Sequence, residues 1–116
     1  MKTVTINGMP YVLKFNTRAL LSLSGKGITI ESMGAKMEKT DLSDFYVAFH
    51  EGIKTLRKDI TFDDALDLID DYIADEDNSI EDLLFDVMEE IATGMGLGKK
   101  FKEEMQKQKE KEAEKA

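Results

Sequence analysis

Side chains with intrinsic chemistry are few in this sequence. His50 is the single histidine among 116 residues, and cysteine is absent. No thiolate nucleophile exists, therefore, and no sulfur ligand can complete a zinc site around the imidazole. Ser22, Ser24, Ser32, Ser43 and Ser79 supply hydroxyls, but none sits in the Gly-x-Ser-x-Gly frame that exposes a nucleophile at a strand-to-helix turn. His50 lies between Phe49 and Glu51, off the apolar helical stripe traced below, and is expected to be a surface or half-buried helix residue. No residue is assigned a catalytic, cofactor-binding or metal-ligating role, and the chain is expected not to be an enzyme.

Two stretches invite ion chemistry and fall short of it. In Asp70–Ser79, a calcium loop beginning at Asp75 would place Asp77 and Ser79 at its third and fifth positions. Its sixth position, where a sharp turn needs glycine, is Ile80, and its twelfth, where a bidentate glutamate is needed, is Asp86. The stretch reads instead as a solvated helix end with an N-cap. Gly94, Gly96 and Gly98 run into Lys99-Lys100, but the Gly-Lys-Ser/Thr ending of a phosphate loop is missing and the run follows a helix, not a strand. It is expected to be a helix stop and a glycine hinge over 94–98.

Binding chemistry is better represented. The chain has seven methionines, and methionine's flexible thioether suits surfaces that must adapt to varied partners. Met95, Leu97, Phe101 and Met105 lie beyond the last capped helix, where a partner is the natural place to bury them; Met88 is expected in the core. These four are the candidate partner-binding residues.

Charge and length bound the partners and the class. The chain is one domain's worth. Lys and Arg number 16 against 24 Asp and Glu, a net of -8. Lys99–Ala116 carries seven Lys and five Glu, so residues 1–98 hold 9 basic and 19 acidic groups, a net of -10. Such a surface is not that of a phosphate-backbone binder, so no nucleic acid partner is expected. No apolar run approaches the roughly 20 residues that span a bilayer. The opening residues alternate in polarity and do not form a signal-peptide core, so no membrane is expected and the chain reads as unprocessed and intracellular.

The elements follow from periodicity and caps. Asn7-Gly8 between two alternating runs predicts a β-hairpin, with Ile6 facing Met9, Val4 facing Tyr11 and Lys2 facing Leu13. Val4, Ile6, Met9, Tyr11, Leu13 and Phe15 then share one apolar face. Pro10 pairs with Thr5 at a non-hydrogen-bonded position, which makes the second strand an edge. Asn16 or Thr17 caps a short helix with Ala19, Leu20 and Leu23 inward. Thr29 caps a second to about Glu38, stapled by Ile28 and Met33. Thr40 or Asp41 opens a third to about Arg57, carrying Leu42, Phe45, Tyr46, Phe49, Ile53 and Leu56. Thr61 caps a fourth with the stripe Phe62, Leu66, Ile69 and Ile73, and Ser79 with Asp82 opens a fifth that buries Ile80, Leu83, Leu84, Val87, Met88 and Ile91. The predicted fold is α+β: an N-terminal β-hairpin packed on a bundle of about five α-helices over residues 1–93. Lys99–Ala116 is expected to be disordered or a marginal helix with no core contacts.

The order of these motifs resembles a known family. Thr5-Ile6-Asn7-Gly8, with Tyr11, Leu13, Lys14 and Phe15, is followed by Thr17-Arg18-Ala19-Leu20-Leu21-Ser22-Leu23, by Ile28–Met33, by acidic amphipathic helices and by a charged tail. Over roughly residues 2–92 this layout resembles the tail assembly chaperones of long-tailed bacteriophages and prophages. The resemblance implies a non-enzymatic protein that escorts the tape measure protein, keeps it in solution, helps bring tail tube subunits to it and is absent from the finished virion. It also implies location in the bacterial cytoplasm, a tendency to form multimers, and a longer frameshifted form, for which Gly98-Lys99-Lys100 is a codable slippery site. The competing expectation is an acidic regulatory or inhibitor protein that occupies a basic surface of its partner.

Overall fold

The computed structural model describes the backbone of residues 1–115 and the side chains of residues 1–107. Two strands, β1 (Lys2–Ile6) and β2 (Met9–Leu13), precede six helices: α1 (Thr17–Gly25), α2 (Ile30–Glu38), α3 (Ser43–Lys54), α4 (Phe62–Ile73), α5 (Ile80–Gly94) and α6 (Gly98–Lys115). The fold is α+β, as expected. No described helix is long and apolar enough to cross a membrane.

Asn7 and Gly8 both hold positive φ, 53° and 75°, so the two-residue turn matches the right-handed twist of its strands. The antiparallel register pairs Lys2 with Leu13, Val4 with Tyr11, Thr5 with Pro10 and Ile6 with Met9, each as predicted. Val4, Ile6, Leu13 and Phe15 are buried and Tyr11 is half-buried. Met9 departs from the predicted face: it stands at the hairpin tip and is exposed.

Helix α3 is the hub. Phe45, Ala48, Phe49 and Ile53 are fully buried along it. Its Gly52 carbonyl accepts the Lys14 N–H at 3.1 Å, which ties the exit of β2 to the helix. Two nearly buried carboxylates on α3 fasten its neighbours. Asp44 accepts from Ser32 Oγ and Lys36 Nζ, both at 2.9 Å. Glu51 accepts from Ser22 Oγ at 3.2 Å and Lys26 Nζ at 3.3 Å. Each clamp uses a serine and a lysine four residues apart, Ser22 with the α1 C-cap Lys26 and Ser32 with Lys36 of α2, so one turn delivers both donors to one carboxylate. The Asp44 hydrogen bond raises the Lys36 pKa above its ordinary value.

Caps set the helix starts. Asn16 accepts the Ala19 N–H at 2.9 Å, and Thr29 and Ser32 form a reciprocal box in which each side chain takes the other's N–H. Thr61 and Asp64 do the same at the head of α4. Ser79 accepts the Asp82 N–H at 3.2 Å. The third helix is the exception. Neither Thr40 nor Asp41 caps it; Thr40 takes a positive φ of 58°, and Asp41 Oδ1 accepts the Ser43 N–H and hydroxyl, so the helix begins at Ser43. It also ends early, at Lys54. Leu56 is exposed, and Arg57 folds back to lie 4.4 Å over the Tyr11 ring and to donate to the Pro10 carbonyl.

The reciprocal box of α4 carries a pH dependence. Hydrogen bonds from Thr61 hold the Asp64 carboxyl below its ordinary pKa. A depressed folded-state pKa stabilises above the unfolded value and is lost as pH falls through the folded one. Asp64→Asn should therefore lower stability at pH 7, and its deficit against the native chain should shrink as urea melts are taken down to about pH 3.

Helix α4 is rotated from its predicted orientation. Ile69 is buried as predicted, with Ala65 and Tyr72 facing the core beside it, while Phe62 and Ile73 are substantially exposed and Leu66 is half-buried. Ala65 is small enough to let α3 and α4 approach closely, which turns the larger Phe62 and Ile73 aside.

Candidate functional site

The four residues singled out beyond the fifth helix come together in one place. The turn that follows α5 sets the geometry. Leu97 N–H bonds to the Ala92 carbonyl at 2.8 Å and Gly96 N–H to the Thr93 carbonyl at 3.0 Å. With Gly96 at φ 77°, this is a Schellman stop, in which left-handed backbone satisfies the last helical carbonyls. The segment 94–98 thus has defined hydrogen bonds, and the chain re-enters helix at once: the Phe101 N–H bonds to the Leu97 carbonyl at 2.9 Å.

The segment expected to be disordered or a marginal helix is helical over Gly98–Lys115, and its described N-terminal part contacts α5; Ala116 lies outside the described residues. Phe101 meets Phe85 of α5 with ring centroids 5.8 Å apart, and Lys102 Nζ lies 3.4 Å from Glu89 Oε1. Neither aromatic ring belongs to the main core, so α6 is laid on the outside of the bundle.

Between α2, α5 and α6 this leaves an open groove of about 550 Å³. Met95, Leu97, Phe101 and Met105 form its α6-side wall and floor; Met95 and Leu97 are 48% and 47% exposed. Ile30 and Gly34 of α2 and Met88 of α5 form the opposite side, with Glu31, Lys100 and Glu104 at the rim. Met88, expected in the core, is half-buried here. The α2 wall could not be read from the sequence, because it depends on where α2 docks. Its one local sign is Ile30, an apolar residue in the first turn.

Chemically the groove offers soft apolar surface and charges only at its edge. It suits an apolar row of another polypeptide, since thioethers can repack around side chains of different shape.

The remaining candidates for chemistry are engaged elsewhere, except Ser24, which is exposed. His50 is half-buried; its Nε2 donates to the Ile60 carbonyl at 2.9 Å and its ring meets Phe62 edge-on, so it fastens α3 to the segment before α4. Ser22 and Ser32 serve the two carboxylate clamps, Ser43 binds Asp41 and Ser79 caps α5. Asp75 accepts the Asp77 N–H at 3.0 Å and forms a turn. Among the described residues no group of three or more His, Cys, Asp or Glu is arranged to hold a metal ion.

Comparison of the chain with protein-family models, with curated proteins and with solved structures finds no match.

Proposed function

We propose that this chain is a non-enzymatic tail assembly chaperone of a long-tailed phage or prophage, which binds the tape measure protein and helps bring tail tube subunits to it in the host cytoplasm. One observation carries the proposal: an open, methionine-lined apolar groove walled by Met95, Leu97, Phe101 and Met105. A tape measure chain is a long helix with apolar seams that would aggregate if left bare. A groove with this apolar, methionine-rich lining can accept such a seam side chain by side chain. The net charge of -8 keeps the loaded complex in solution. The layout of hairpin, capped helices and charged tail supports the same assignment through its resemblance to that family.

Co-expression tests it. Under this assignment a tape measure gene is expected beside this one, and its product should move from the pellet to the soluble fraction when this chain is present and co-purify with it. Equal precipitation with and without the chain would overturn the assignment.

A further inference from the structure

Helix α4 carries a second apolar face that the fold leaves open. Its core-facing residues are Ala65, Ile69 and Tyr72. Phe62, Leu66 and Ile73 form a neighbouring stripe, turned by about a quarter of the helix circumference from the core direction. Phe62 and Ile73 are 40% and 44% exposed. The His50 ring abuts Phe62 at 5.8 Å, so the stripe is braced against α3 and is not a set of isolated side chains. On its solvent flank stand Asp63, Asp67 and Asp70, all exposed. Their three- and four-residue spacing places them in one row. None of them has an ion-pair partner among the described residues.

We infer that this face docks a basic amphipathic helix of another protein, distinct from whatever fills the methionine groove. The apolar stripe and the acidic row run side by side along the same helix. A complementary helix would lay apolar residues on Phe62, Leu66 and Ile73 and a flanking row of Lys or Arg on Asp63, Asp67 and Asp70. Anionic partners, whether nucleic acid or lipid headgroups, are repelled by that row. A second copy meeting the face through its own α4 would set two aspartate rows against each other. Charge complementarity therefore selects a cationic helix from a different chain.

The probe is a labelled 18-residue leucine–lysine peptide in amphipathic helical register, titrated with the full chain by fluorescence anisotropy. The expected result is saturable binding, at least tenfold tighter than for a scrambled peptide of the same composition. Phe62→Ser with Ile73→Ser leaves every charge in place and should weaken binding at least tenfold. Asp63→Asn with Asp67→Asn and Asp70→Asn should weaken it similarly and flatten its salt dependence; circular dichroism confirms that each variant is folded. Leu21→Ser, at an exposed apolar residue outside both surfaces, should leave the affinity unchanged. Absence of binding, or binding that ignores the Phe62/Ile73 pair, would overturn the inference. So would self-association in sedimentation that the same pair abolishes, because that would assign the face to a second copy.

Discussion

Replacing Gly94 with alanine should lower stability by about 1–3 kcal/mol, the range for forcing an added group into a filled site. A Cβ at position 94 would overlap the Phe15 carbonyl oxygen and stand 3.2 Å from the Phe15 Cβ. The oxygen belongs to the backbone just after β2, so it cannot swing away without dragging the hairpin. Gly52 on α3 presses on the other side of the same residue: a Cβ there would meet Phe15 Cζ at 2.7 Å and Cε2 at 2.9 Å, and Leu13 Cδ2 at 3.0 Å. Phe15 is thus wedged between two helices, and Gly52→Ala should cost a similar amount. The sign is what makes the test sharp. Alanine in place of a helical glycine ordinarily gains roughly 0.5–1 kcal/mol. Gly34 on α2 has nothing within 4 Å of its added Cβ, so Gly34→Ala should show that gain. Urea denaturation of the three variants reads all the signs, and stabilisation at 94 or 52 would mean that Phe15 is not held as described.

The second large effect concerns binding. If the proposed function holds, Met95→Ser together with Phe101→Ala should weaken capture of a tape measure protein at least tenfold, about 1.4 kcal/mol, as expected when central apolar anchors of an interface are truncated. The accompanying loss of stability should be small. Met95 is about half exposed, and Phe101 contributes one aromatic pair with Phe85, an interaction of about 0.5–1.5 kcal/mol beyond its area. Pull-down with immobilised tape measure fragments, run beside thermal melts, separates the two quantities. Retained capture by a folded double variant would place the binding surface elsewhere.

Much of the fold was legible locally. Asn7-Gly8 specifies its own turn, and period-two alternation on either side leaves only one register with a single apolar face, so the hairpin pairing could be read residue by residue. Asn16, Thr29, Thr61 and Ser79 are each followed three positions later by the N–H they accept, which is a purely local arrangement. The start of α3 was not legible, because an aspartate two residues before a serine can close a turn as well as cap a helix. The rotation of α4 was not legible either. The predicted stripe Phe62/Leu66/Ile69/Ile73 and the buried face Ala65/Ile69/Tyr72 share Ile69 and overlap on the helix wheel, and only the neighbouring α3 and hairpin decide between them.

The site was half legible. That Met95, Leu97, Phe101 and Met105 lie past the last capped helix is evident from their positions, and their spacing along a helix lets three of them share a side. That Ile30, Gly34 and Met88 complete the groove depends on tertiary docking. The carboxylates of Asp44 and Glu51 were hidden for the same reason, since their donors come from other helices. The one trace they leave is the repeated Ser-x-x-x-Lys, at Ser22 to Lys26 and again at Ser32 to Lys36.

The bond from Lys2 Nζ to Asp86 Oδ1, 2.6 Å long, joins positions 84 residues apart. It bears on how the chain is born. During synthesis the hairpin emerges with its greasy side bare well before α5, which carries its ionic anchor. Before α5 is made the hairpin can already dock on α3 and the two carboxylate clamps can close, but the entropically costly closure across 84 residues waits for α5.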